Sequence, residues 1–280
     1  MSEQSRCRYR NASCVETRVS QQDSDLETTA ESGFASALNR VPEVTLVFWI
    51  LKILATTVGE TAADVLSTTF NLGTVVTSYV MAVLLLISLA FQLRAKRYVP
   101  KIYWIVVVFI SVVGTLISDN LVDNLGVSLA TTSIIFLVAL VAVFVFWYIS
   151  ERTLSVHTIY TLRRELFYWA AILFTFSLGT SAGDLLSERL GLGYPLSALM
   201  FAATIAVIYG LYRVKVVNEV LAFWLAYILT RPLGASVGDM LTQEKSAGGL
   251  GLGTIPISIV CLLGIVVGVV YLSRQEKKTA

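Results

Sequence analysis

Beyond residue 40 the chain is a succession of apolar stretches, each about 20 residues long and bounded by short polar connections. Eight stand out, at about 42–65, 72–92, 102–121, 127–149, 166–186, 193–212, 219–240 and 252–272. At ~1.5 Å of rise per residue, a helix of that length crosses a hydrocarbon core of ~30 Å. Such Val/Ile/Leu/Phe runs are too long for strands. In lipid, a lone segment satisfies its backbone polar groups only as a helix. The pattern therefore predicts an all-α polytopic membrane protein with eight transmembrane helices. Residues 1–40 are different: they hold eleven charges among Ser, Thr, Gln and Asn, with no apolar run longer than two. They lack the charged head, apolar centre and small-residue cleavage pattern of a signal peptide and read as a disordered cytoplasmic tail.

Composition narrows the function classes. Hydrophobic residues make up 56% and charged residues 14%, against roughly 25% charged in a soluble domain. That excludes a soluble enzyme and a nucleic-acid binder, and makes the lipid bilayer the expected surrounding. Cys7, Cys14 and Cys261 form no disulfide framework, and the single histidine, His157, excludes a site built on imidazole clusters. The net charge of +2 says little, but the placement of charge says more. The segment up to Arg40 carries five basic residues, and alternate connections and the C-terminus add four, three, two and three. The opposite side has only Arg189 and Lys245, so both termini are expected in the cytoplasm. Lys52 and Arg231 fall inside spans.

An internal repeat organises residues 41–280. Every odd-numbered span carries Trp, nine residues, Gly, four residues, Asp: Trp49/Gly59/Asp64, Trp104/Gly114/Asp119, Trp169/Gly179/Asp184 and Trp224/Gly234/Asp239. An aromatic (Phe48, Tyr103, Tyr168 or Phe223) precedes each Trp. A second signature opens each even span: Asn71-Leu72-Gly73, Asn124-Leu125-Gly126, Gly191-Leu192-Gly193 and Gly251-Leu252-Gly253. The repeats, at about 41–98, 99–160, 161–216 and 217–272, are thus helical hairpins, and because each crosses twice, all four are parallel.

At 100° per residue, positions 0, +7, +11 and +15 from each Trp fall on one stripe. The stripe holds Trp49, Thr56, Glu60 and Asp64; Trp104, Ser111, Thr115 and Asp119; Trp169, Phe176, Thr180 and Asp184; and Trp224, Arg231, Ala235 and Asp239. Carboxylates inside a bilayer are costly and mark functional sites by default. Glu60 and the four Asp residues form the candidate metal site, with Lys52 and Arg231 as partial counter-charges, Arg231 to an Asp. Such a cluster binds cations or holds protons. All-oxygen ligands, helped by Thr56, Ser111, Thr115 and Thr180, suit hard ions such as Mn²⁺, Mg²⁺ or Ca²⁺. The Trp residues fit packing at the cytoplasmic interface or gating of a pore, and Arg231-Pro232 fits a hinge or a counter-charge. Ser181-Ala182-Gly183-Asp184 and Ser236-Val237-Gly238-Asp239 nearly match the GxGD signature of intramembrane aspartyl proteases, with Ser for the first Gly and no partner motif. No enzyme activity and no prosthetic group are expected.

These tandem copies, with Val41-Pro-Glu-Val-Thr, Phe48-Trp49 and Gly59-Glu60-Thr61-Ala62-Ala63-Asp64, resemble a bacterial membrane-protein family built from four two-helix repeats of unknown function. The resemblance covers about 41–272. Members look like manganese exporters of the cytoplasmic membrane. The resemblance implies roles in a metal pathway for Trp49, Glu60, Asp64 and the equivalent Trp and Asp residues. The expectation is an exporter of a divalent cation, Mn²⁺ first, with protons as the exchanged ion. A non-transporting membrane scaffold or sensor, and a transporter of a small organic cation, are the alternatives.

Overall fold

The computed structural model describes residues 39–279, and within them the eight apolar stretches are eight α-helices. They are α1 (Leu46–Asp64), α2 (Thr74–Arg94), α3 (Pro100–Asp119), α4 (Leu129–Glu151), α5 (Leu162–Asp184), α6 (Tyr194–Arg213), α7 (Glu219–Thr242) and α8 (Thr254–Thr279). All eight are long and apolar enough to cross a membrane, and the described residues contain no strand. The expected tail lies outside the described residues up to position 38. Asn39 and Arg40, which the sequence assigns to that tail, are packed against the fold.

Local chemistry sets the helix ends. Thr45, Ser128, Thr161 and Asn218 stand before α1, α4, α5 and α7, and each side-chain oxygen accepts from the N–H three residues on. After Asp64, Asp119 and Asp184 the helix widens into one π-helical turn, at Val65–Thr69, Asn120–Asn124 and Leu185–Arg189. The turn back into the bilayer takes four residues in the first three copies and residues 243–253, with a 3-10 turn at Lys245–Ala247, in the fourth. It uses left-handed backbone at Asn71 and Gly73, at Gly126, at Gly191 and Gly193, and at Gly251 and Gly253, which accounts for the signature before each even helix. In the fourth copy α7 runs on to Thr242 without the π turn.

The eight helices form two shells. In the most apolar part of the odd helices 50–67% of residues are buried, against 17–28% in the even ones. Helices α1, α3, α5 and α7 pack in a closed ring, each on the next and α7 back on α1. Each even helix covers the odd helix of the following repeat: α2 lies on α3, α4 on α5, α6 on α7, and α8 on α1. The two helices of one hairpin make few contacts, so the hairpin read from sequence is a connection rather than a packing unit. Each repeat is completed by its neighbour, which makes the ring interdependent.

The repeat glycines make the ring close. A Cβ on Gly59 would overlap Ser111, one on Gly114 would overlap Phe176, one on Gly179 would overlap Arg231 and one on Gly234 would overlap Thr56. Each glycine therefore seats the +7 side chain of the next repeat, and the fourth seats that of the first. Close backbone approach of this kind is how helices associate in lipid, where apolar side chains gain little by meeting.

Candidate functional site

Down the axis of the inner ring the four repeats stack equivalent side chains in layers four residues apart. The first layer is aromatic: Phe48, Tyr103, Tyr168 and Phe223, each against the Trp of the next repeat. Centroid separations are 5.9 Å for Phe48–Trp104, 5.4 Å for Tyr103–Trp169, 6.2 Å for Tyr168–Trp224 and 5.8 Å for Phe223–Trp49. The Tyr103 and Tyr168 hydroxyls meet at 2.5 Å. Trp104, Trp169 and Trp224 are buried and Trp49 is half-buried. Their neighbours, not the Trp residues themselves, reach the centre. Burial pushes the Tyr98 phenol above its ordinary value, and this neutral hydroxyl accepts from Trp104 Nε1 at 3.2 Å.

This layer faces the side on which the described chain begins and ends, where Asn39 and Arg40 tie α2, α5 and the connection before α5 together. The Arg40 guanidinium bonds Glu165 Oε2 at 2.7 Å, Gln92 donates to Glu165 Oε1 at 3.0 Å, and Glu165 is fully buried. Asn39 donates to the Val156 carbonyl and accepts from the Ile159 N–H.

The second layer, Lys52, Val107, Ile172 and Tyr227, is wholly buried. Lys52 Nζ stands 4.0 Å from the Tyr227 ring centroid and 4.3 Å from that of Phe176, with no hydrogen-bond partner. The third layer is Thr56, Ser111, Phe176 and Arg231, and the fourth Glu60, Thr115, Thr180 and Ala235. Arg231 ties these two together. Its Nη2 donates to Glu60 Oε2 at 2.9 Å, to Thr180 Oγ1 at 2.8 Å and to Thr115 Oγ1, and its Nη1 donates to the Thr56 carbonyl at 3.3 Å. The counter-charge role read from sequence holds, but the partner is Glu60 and not an Asp. An arginine two layers deeper than the Asp residues reaches Glu60, the acid of the layer between. Helix α7 continues through Pro232, whose ring packs near Gly179 and Gly183.

The last layer is Asp64, Asp119, Asp184 and Asp239, at the opposite end from the aromatic cover. Asp239 is buried and the other three are half-buried. Asp119 lies within electrostatic range of Glu60, Asp184 and Asp64, and Asp239 within range of the same three. Asp184 feels Glu60, Glu188, Arg231 and Asp64. The four repeats thus bring their carboxyls to one end of one axis. Among the described residues none of the four Asp carboxyls makes a hydrogen bond or an ion pair, and no three Asp, Glu, His or Cys side chains are close enough together to hold a metal ion. Thr115 and Thr180, expected as extra ligands, are engaged by Arg231. Glu188, one turn beyond Asp184, joins the acidic end and accepts from the Tyr194 hydroxyl at 3.1 Å. The sequence signalled it only as a further acid four residues on.

A family model described as Repeat of Unknown Function (DUF347) matches the chain four times, at residues 47–98, 102–153, 167–215 and 222–278. The chain belongs to the DUF347 repeat family. Each match holds one odd helix, its Asp and the even helix that follows, so the family unit coincides with the repeat that builds the layered axis. Among curated proteins and solved structures, no match is found.

Proposed function

We propose that this DUF347 protein carries a cation across the membrane along the axis of its inner ring. The observation that carries this reading is the acidic end: four carboxyls, one from each repeat, with no partner of their own and in mutual electrostatic range. Keeping four unpaired acids in a membrane-spanning ring is costly, and a cation is the ligand that offsets that cost. Carboxylate oxygen is the donor type that suits a hard divalent ion, Mn²⁺ first. With the termini in the cytoplasm, the acidic end faces outward, and export of a 2+ ion against an inside-negative potential costs about 4.6 kcal/mol per 100 mV, which proton exchange can supply.

A small organic cation is the second reading. It is favoured by the spacing of the acids, since no three stand at metal-ligating distance among the described residues. An ammonium group needs surrounding charge rather than a fixed coordination shell. Purified protein in liposomes loaded with a metal-quenched dye tests the first reading. Uptake of Mn²⁺ that falls on Asp64→Asn and Asp184→Asn supports it. Indifference to Mn²⁺ with flux of methylammonium moves the assignment to the second, and flux of neither refutes both.

A further inference from the structure

Lys52 is the one buried basic side chain of the inner ring, among the described residues, with neither an opposite partner nor access to the acidic mouth. It is fully buried, and its Nζ meets only the faces of Phe176 and Tyr227. Ring faces attract an ammonium but do not replace the N–H acceptors that water provided. Arg231 adds a like charge within electrostatic range, and its Cζ lies 5.5 Å from the centroid of the same Phe176 ring. The Arg231 charge is answered by Glu60, yet its Nε has no acceptor either. Glu60, the nearest acid along α1, is already held by Arg231. Asp64 is three α-helical turns along α1 from Lys52, roughly 18 Å of rise, beyond the reach of either side chain. The two layers between the aromatic cover and Glu60 thus hold two basic side chains, Lys52 and Arg231, against the single acid Glu60.

We propose that these layers bind one small monovalent anion of chloride size, held between Lys52 Nζ and Arg231 Nε. One negative charge neutralises the layers, and one acceptor serves both orphaned donors. Val107 and Ile172 provide apolar walls, which suit a weakly hydrated anion. A divalent anion would invert the charge instead of cancelling it. The site itself does not depend on the transport reading. One consequence does: with the anion bound, a cation on the axis no longer meets a fixed positive charge between the acids and the aromatic layer.

The test uses the full chain in detergent, with thermal unfolding followed in sodium chloride, bromide, formate and gluconate at equal ionic strength and pH. A saturable rise in the unfolding midpoint with chloride and bromide over gluconate is expected, kept in Asp64→Asn and lost in Lys52→Met. A rise with formate alone assigns the same site to small carboxylates. Identical midpoints in all four salts, or a Lys52→Met variant that responds as the parent does, overturns the proposal. If Lys52→Met does not fold, crystals of the parent grown in bromide decide: an anomalous peak beside Lys52 is expected, and its absence refutes the site.

Discussion

Arg231 Nη2 lies 2.9 Å from Glu60 Oε2, joining the fourth repeat to the first across the closure of the inner ring. Both side chains are nearly or wholly buried. Removing one partner leaves the other charge uncompensated. Arg231→Met or Glu60→Gln should each lower unfolding stability by about 3–5 kcal/mol, and the double variant should recover most of the loss. Denaturant unfolding of the purified protein checks this, and additive losses in the double variant would show that the pair is not coupled.

The glycine seats predict a sharp contrast. Gly59→Val and Gly234→Val force side chains into Ser111 and Thr56, and should abolish or strongly reduce the folded yield. Gly210, on the lipid-facing helix α6, has nothing within 4 Å of a would-be Cβ. Gly210→Ala should be neutral or slightly stabilising, by up to about 1 kcal/mol. Yield and monodispersity in detergent are the readout.

Because the ring acids have no protein partner, each Asp→Asn substitution removes a repulsion rather than a bond. Single variants at Asp64, Asp119, Asp184 and Asp239 should unfold within about 0.5 kcal/mol of the parent, or later. Cation flux in liposomes should fall about tenfold or more. A scaffold held together by these acids would show the reverse, lower stability with no flux to lose.

Much of this was legible in the sequence. The eight spans, the four parallel copies and the acids at +15 follow from periodicity, because lipid imposes length and the repeat imposes spacing. The axial stripe begins one residue before the Trp of each repeat. Trp49, Trp104, Trp169 and Trp224 are the most visible residues, yet Phe48, Tyr103, Tyr168 and Phe223 occupy the axis. Lys52, Val107, Ile172 and Tyr227 share one layer while sharing no chemistry, so no pattern exposed it. The covering of each odd helix by the preceding repeat's even helix was hidden too, since the even helices are largely apolar and only scattered polar residues such as Thr77, Ser88, Gln92 and Thr132 mark their buried stripes. Glu165 with Arg40 and Gln92 joins residues up to 125 apart, beyond any local signal.

Orientation is predicted by the basic residues. In a cysteine-free background, His157→Cys on the side of the termini should react with membrane-impermeant maleimide only after cells are opened. Ser246→Cys, exposed on the far side, should react in intact cells. The opposite pattern would invert the topology.

Equilibrium binding of Mn²⁺, followed by electron paramagnetic resonance, with methylammonium as competitor, tests most directly whether the four repeats serve one cation. One site per chain is predicted, weakened by Asp→Asn at each of positions 64, 119, 184 and 239 and vacated by whichever cation is the stronger ligand. Several independent weak sites, each lost with a single Asp while the others persist, would contradict a shared path along the axis.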